Sequence, residues 1–208
     1  MRHDHSMAIR RIRAAVLAVH WQVNVIRPEG FFGPMLAGPV AESGVVPRAA
    51  GFHDAVARSG LPVVFVRFVI PVGEGGLVRN TGFMRSVAAA QTEFRPEAPG
   101  SQLIPEMVEQ PTVVFDNQKL SALAGCALPE WFDEQDVDTL FITGVATNLA
   151  VEQTARNGTD LGFSVHPIAD CVAAADPQAH AASLANLELT TAGCRTAEQA
   201  LQLIGTSV

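Results

Sequence analysis

The residue best suited to catalysis by its type and position is His20, which follows an apolar run at 14–19 (AAVLAV). Imidazole titrates near neutral pH and can give or take a proton, so His20 is a candidate general acid or base. The competing interpretation is a histidine that fills space and hydrogen-bonds to the backbone. Trp21, the next residue, could offer a stacking face to a planar ligand or could pack in the core.

Two basic residues are candidates for binding a ligand. Arg67 lies in a second apolar run at 62–68 and could clamp an acidic group or form a surface ion pair. Lys119, the one lysine of the chain, comes two residues after Asn117, so both side chains point to one side if a strand extends that far. Lys119 could place a positive charge at a site or form an ion pair at its rim.

Short apolar segments that are rich in β-branched residues predict strands buried on both faces. Helical patterns, several of them closed by glycine, lie between these segments. This alternation predicts an α/β fold, a three-layer sandwich whose six-stranded parallel sheet has helices on both faces. The expected strands are 14–19, 62–68, 112–116, 137–143, 162–168 and a short 193–195, and the expected helices are 47–58, 148–157, 177–189 and 197–204.

Composition limits the class of protein. The chain has 208 residues, of which 48% are hydrophobic, which fits one domain at 14–208 after a charged tail at 1–13. A net charge of −7 disfavours binding to nucleic acid or to an anionic membrane. Three widely spaced cysteines support neither a disulfide framework nor a zinc site, so we expect a cytoplasmic protein. No segment approaches the length that spans a bilayer.

The chain from Val137 onward, which reads VDTLFITGVATNLAVEQTARNGTDLGFSVHPIADCVAAAD, closely resembles the isochorismatase-like hydrolase superfamily. This superfamily includes nicotinamidases, carbamoylsarcosine amidases and isochorismatases. The resemblance extends to AAVLAVHWQVN, SQLIPEM and VVFDNQKLSALAG, so it covers nearly the whole chain in the family's order. It implies the same six-stranded sheet. Because oligomers are common in the family, it also implies a homo-oligomer that binds a small molecule.

The resemblance assigns three positions to catalytic groups. Family amidases use an Asp after the first strand, a Lys after the third and a Cys at the start of the helix after GVATN. Here His20, Asn117 and Ala150 occupy these positions. An alanine has no sulfur or hydroxyl with which to form an acyl-enzyme. The resemblance therefore implies a divergent member that lacks the Asp-Lys-Cys triad and is not a cysteine amidase.

The resemblance also bears on backbone groups and on metals. The bond between Val145 and Ala146 is typically cis in the family, which implies that the amides of Ala146 and Ala150 could bind a carbonyl or a developing negative charge. Nicotinamidase-like members hold zinc through an Asp and histidines after the second strand. The segment 67–80 has neither residue type, so we expect no metal and no cofactor.

Two functions are open at this stage. The first is an enzyme that acts on a small molecule without a covalent cysteine intermediate. His20 would be its acid or base, and Asn117 and Lys119 would orient or polarise the substrate. The second is a catalytically inactive family member that binds a ligand or supports an assembly. His and Asn are not small, inert replacements, which favours the enzyme. The glycine-rich segment 73–100 is predicted to lie beside or over the site.

Overall fold

The computed structural model describes residues 12–205, so most of the tail predicted at 1–13 lies outside the described residues. Five parallel strands form one sheet in the order β3-β2-β1-β4-β5. The central strand is buried at every residue, which explains its unbroken apolar sequence. The strands are β1 (Ala14–Val19), β2 (Val63–Phe68), β3 (Val113–Asn117), β4 (Thr139–Val145) and β5 (Ser164–Ala173).

Helices flank the sheet, as the sequence predicts. They are α1 (Val23–Ile26), α2 (Gly33–Ser43), α3 (Val45–Arg58), α4 (Gly82–Ala89), α5 (Leu128–Glu134), α6 (Glu152–Asp160), α7 (Pro177–Thr190) and α8 (Ala197–Ile204). A π-helical turn at Thr147–Val151 leads directly into α6, and 3₁₀ turns occur at Gln91–Phe94, Pro99–Ser101 and Pro105–Met107. Within the described range, no helix is long and apolar enough to cross a membrane.

Alternate residues of β1 enter two separate hydrophobic cores, because successive side chains of a strand point to opposite faces. Ala14, Val16 and Ala18 pack in the core that also contains residues of α2, α3 and α8. Ala15, Leu17 and Val19 pack in the core shared with α5, α6 and α7. The two cores on opposite faces of one sheet confirm the predicted layered α/β architecture.

The predicted count of six strands is wrong for the described residues, which contain five. The segment at 193–195 pairs with β5 only at Arg195, which bridges to Ile168. Arg195 donates its backbone N–H to Pro167 O (2.9 Å) and accepts from Ala169 N (2.8 Å). Gly193, with φ at 90°, and Thr196, the N-cap of α8, bound the segment on either side. Too few residues remain between them to extend the pairing into a strand.

A buried polar chain runs beneath the carboxyl edge of the sheet and is centred on His53. Gln110 donates both hydrogens of its amide, to Ala50 O (3.0 Å) and to Asp54 Oδ1 (3.1 Å), so its Oε1 accepts from His53 Nδ1 (3.0 Å). In the neutral ring, Nε2 then accepts from the Thr143 hydroxyl (2.8 Å). Trp21 Nε1 donates to that hydroxyl (3.3 Å). Both ring nitrogens of His53 are therefore satisfied in the uncharged form.

Burial lowers the pKa of His53 from 6.5 to about 4, so stability should depend on acidity. Between these values the unfolded chain binds more protons than the native protein. The contribution of His53 to the free energy of unfolding should therefore be fully present above about pH 6.5 and fall by roughly 3 kcal/mol on reaching pH 4. Urea denaturation at a series of pH values measures this. The His53→Gln variant, which cannot titrate, should show a shallower slope, and an unchanged slope would contradict the assignment.

Candidate active site

A cavity opens at the carboxyl edge of the sheet, beside the point between β1 and β4 where the strand order reverses. Such a switch point is the usual ligand site of an open parallel sheet. The cavity has an empty volume of about 480 Å³, counted to its open mouth. Its walls are His20, Phe32, Met35, Leu36, Phe68, Phe83, Val87, Leu120, Val145, Ala146, Leu149 and Ala150.

Strand register brings the main components of the cavity together. Val19, the last residue of β1, pairs with Val66 of β2 and with Gly144 of β4. The chain segments that leave these three strands therefore start side by side. Gly144 permits the close approach, since a Cβ there would lie 2.2 Å from Val19 O and its φ is 142°. His20 and Ala146 consequently meet at one edge.

His20 holds an unusual backbone conformation at the cavity wall. Its φ is 58°, in the left-handed region that residues other than glycine seldom adopt. Its backbone N–H donates to Val66 O (3.0 Å), and its ring packs edge-on against Phe68 with 6.3 Å between the centroids. The side chain is buried, yet its Nδ1 has no hydrogen-bond partner among the described residues. Strained backbone and an unpaired buried nitrogen at a cavity wall are features of a functional position.

Burial lowers the pKa of the His20 imidazole from 6.5 to about 4, because the charged ring loses its water. The ring is therefore neutral at physiological pH, with one nitrogen that donates and one that accepts. In this form it can accept a proton or hydrogen-bond to an uncharged group.

The chain beyond His20 is fixed by Gln22. The Gln22 side chain donates to Phe68 O (3.1 Å) and to Ser101 O (2.9 Å), and its oxygen accepts from Phe68 N (2.7 Å). These bonds join the exit of β1 to the end of β2 and to the segment around Ser101. His20 therefore lies between β1 and Gln22, whose side-chain hydrogen bonds fix the chain that follows.

Asn117 ends β3 and is buried, but it does not form part of the cavity wall. Its Nδ2 donates to Ser121 O (2.8 Å), whereas its Oδ1 is buried without a partner. Ser121 in turn donates to Asn157 Oδ1 of α6 (2.8 Å), which fixes the turn after β3. Two of the three positions that the resemblance assigns to catalytic groups therefore carry an unpaired buried polar atom.

Ala146 and Ala150 both line the cavity. The peptide bond between Val145 and Ala146 is cis, as the resemblance implies. The Ala146 carbonyl accepts from Leu149 N and Val151 N (both 3.2 Å), which starts the π-helical turn. Ala150 therefore lies in the first turn of a continuous helical segment that runs on into α6, close to its positive end.

Trp21, Arg67 and Lys119 lie away from this cavity. Trp21 is fully buried in the core and bonds to Thr143, so it offers no stacking face. Arg67 forms a two-pronged ion pair with Asp116 (2.8 and 2.9 Å) on a separate surface groove. Lys119 donates to the Gly76 carbonyl, and β3 ends at Asn117, so the expected alignment of Asn117 with Lys119 along one strand does not occur.

Most of the apolar wall was not identified from the sequence. Met35 and Leu36 come from α2, and Phe83 and Val87 come from α4, which lies within the segment 73–100. The spacing of Phe83 and Val87 by four residues, after the N-cap Thr81, was the signal that could have revealed α4.

The three thiols lie outside the cavity wall. Burial raises the pKa of Cys171 to about 12 and also raises the pKa values of Cys126 and Cys194. A thiol with a raised pKa is a poor nucleophile at neutral pH. Within the part of the chain that the structure describes, no group of three or more His, Cys, Asp or Glu side chains could hold a metal ion.

A parallel α/β sheet with a cavity at its switch point defines the architecture, and comparison with known proteins gives the family. The isochorismatase domain matches residues 14–199. The chain is a member of the isochorismatase family of hydrolases.

Relatives support this at modest identity. An uncharacterized isochorismatase family protein of Escherichia coli O157:H7 is 25% identical over 180 residues, 82% of this chain and 89% of the relative. A ureidoacrylate amidohydrolase of Pseudomonas syringae pv. syringae is 27% identical over 167 residues, 75% of this chain and 65% of the relative. The crystal structure of a cysteine hydrolase from Pseudomonas syringae pv. phaseolicola shares the fold, with a TM-score of 0.80 at 21% identity over 95% of this chain and 94% of that one.

His20 and His53 form a matched pair for a stability test. Both are buried, but His53 has two bonded ring nitrogens, whereas His20 has an unpaired one and a left-handed backbone. His20→Asn should change the free energy of unfolding by less than about 1 kcal/mol, because asparagine tolerates this conformation and the substitution removes no hydrogen bond from Nδ1. His53→Asn should cost about 3 kcal/mol, since it leaves buried partners unpaired. Chemical denaturation compares the two, and an equal loss would make His20 a packing residue.

Proposed function

We propose that this protein is an isochorismatase-family enzyme that acts on a small molecule without a covalent cysteine intermediate, with His20 as its acid or base. One observation carries the proposal. His20 lines the switch-point cavity in a left-handed conformation, with a buried ring nitrogen that no described residue satisfies. A stabilising core residue would have a bonded ring and a relaxed backbone, as His53 shows for its ring.

The residue types at the catalytic positions favour a changed mechanism. On the resemblance, His20, Asn117 and Ala150 replace the family's Asp, Lys and Cys. With Ala150 in place of the cysteine, the described cavity wall has no thiol or hydroxyl side chain, so water or the substrate itself would be the attacking group. The neutral His20 ring can take a proton from that group and later return it to the leaving atom. The reaction class is hydrolysis by activated water, or a proton transfer such as an elimination.

Backbone groups can stabilise the charge that this step creates. When His20 takes a proton from water, the water oxygen adds to the substrate carbonyl carbon and the electrons of the C=O double bond move to its oxygen, which becomes negative. We place it near the amides of Ala146 and Ala150, at the positive end of the helical segment that leads into α6. Asn117 would fix the geometry of the turn after β3 through its bond to Ser121. Lys119, bonded to Gly76, has no part in this arrangement.

The named activity of a relative suggests the bond to test first. The Pseudomonas syringae relative is named a ureidoacrylate amidohydrolase. Cleavage of an amide-like carbonyl–nitrogen bond is therefore the first reaction to test in this chain, with water in place of a thiol.

A second candidate is a protein that binds a ligand without turning it over. Eleven of the twelve described residues that line the cavity are apolar, and the twelfth, His20, is weakly basic. Such a wall holds a ligand well but offers few groups for chemistry.

A mass-spectrometric screen for turnover distinguishes the enzyme from the binding protein. It covers small amides, ureas, carbamates and vinyl ethers. The native protein should convert at least one compound, and His20→Ala should lose at least 100-fold of that rate, within the range of about 10²–10⁴ for a lost acid–base group. Because His20 must be neutral to act as a base, kcat/KM should be constant near pH 7 and fall towards pH 4.

Two controls separate a specific effect from damage to the fold. His166 lies in β5, away from the cavity, so His166→Gln should keep its turnover. Treatment with iodoacetamide should leave turnover intact, because no described thiol lines the cavity. Loss of turnover on thiol alkylation would refute a mechanism without cysteine. No turnover of any compound would favour the binding protein.

A further inference from the structure

We infer that the ligand of the switch-point cavity is an uncharged molecule with an apolar body and one hydrogen-bonding group. Carboxylates are excluded as its main ligands. The inference rests on the proposed function only in taking this cavity as the site where the small molecule binds.

The walls of the cavity are apolar on nearly every side. Phe32 and Phe83 stack with 5.7 Å between ring centroids and 10° between their planes, which gives a flat aromatic wall. Phe68, Leu36 and Val87 belong to the same lining. Burial of these groups under the hydrocarbon of a ligand would make binding more favourable through the hydrophobic effect.

No charged side chain lines the cavity among the residues that the structure describes. The basic groups of the neighbouring segments are engaged elsewhere. Arg67 pairs with Asp116, and Lys119 donates to Gly76 O. Arg95 donates to the carbonyls of Ile70 and Pro71. A carboxylate that entered this cavity would lose its water and meet no cationic side chain, and the partial positive charge at the helix end near Ala146 and Ala150 would offset its full negative charge only in part.

The mouth of the cavity is also hydrophobic. Met35 is 46% exposed and Phe83 is 37% exposed, and both belong to the lining. An apolar ligand body would therefore contact hydrocarbon from the inner walls of the cavity out to this exposed rim.

One polar side chain is available to such a ligand. Among the described residues, His20 is the only polar side chain of the lining. A neutral imidazole pairs with a hydroxyl, an amide or a carbonyl without creating net charge. The ligand would therefore place one uncharged polar group at His20 and its apolar body against the aromatic wall.

Matched neutral and anionic probes test the inference by isothermal titration calorimetry at pH 7.5. Benzamide and benzoate have nearly the same shape, as do cyclohexanecarboxamide and cyclohexanecarboxylate, so each pair isolates the charge. We expect each carboxamide to bind at least tenfold more tightly than its carboxylate. Equal or tighter binding of the carboxylates would overturn the inference, and so would the absence of binding by both carboxamides at millimolar concentration.

A variant pair at the mouth tests the physical cause. Met35→Lys replaces an exposed side chain with one of similar length that carries an ammonium group. It should reduce the ratio of carboxamide affinity to carboxylate affinity at least threefold. Met35→Leu, which adds no charge, should leave the preference unchanged. If both variants behave alike, the missing charge is not what excludes the carboxylates.

The outcomes for the ligand class and for the proposed chemistry can be distinguished. Binding of carboxamides without any turnover in the screen would retain the ligand class and refute the enzyme. Turnover of carboxylate substrates that is lost in His20→Ala would retain the enzyme and refute the ligand class.

Discussion

The pairing of the central strand β1 with β2 on one side and β4 on the other is the constraint on which the rest of the structure depends. All six residues of β1 are buried, and its alternate side chains enter the cores on both faces of the sheet. The fixed register places the ends of three strands side by side. Because the strand order reverses between β1 and β4, the helices diverge there and leave the cavity open. His20 lies at this edge because it is the first residue beyond the central strand.

His20 and His53 show how one residue type takes two roles in one fold. Burial lowers the pKa of both rings to about 4, so both are neutral near pH 7. His53 has a partner for each ring nitrogen and joins α3 to β4. His20 has a left-handed backbone and an unpaired nitrogen at a cavity wall. His53 stabilises the fold, whereas His20 adds local strain that the fold tolerates. This difference is expected where a functional site lowers stability locally.

The basic side chains near the strand ends lie outside the cavity, which leaves its lining apolar. Arg67 and Lys119, the basic residues that the sequence placed near strand ends, both engage other groups outside the cavity. Ala150 contributes a methyl group at the start of the helical segment, and Leu149 and Leu120 extend the apolar surface. The chain belongs to a family of hydrolases, and its described cavity is lined by apolar side chains and one imidazole.

The sequence by itself determined the alternation of strands and helices, the positions of five strands, the family and the two polar groups at strand ends, His20 and Asn117. These follow from local apolar runs and from motifs, which are properties of short segments. Tertiary structure decided that the segment 193–195 forms a single bridge and not a sixth strand, because Gly193 and the N-cap Thr196 bound it closely. It also decided that Trp21 packs in the core, that Lys119 bonds to Gly76, and that α2 and α4 supply the aromatic wall. These outcomes depend on contacts between segments far apart in the chain, and no local pattern encodes which distant group a side chain will meet.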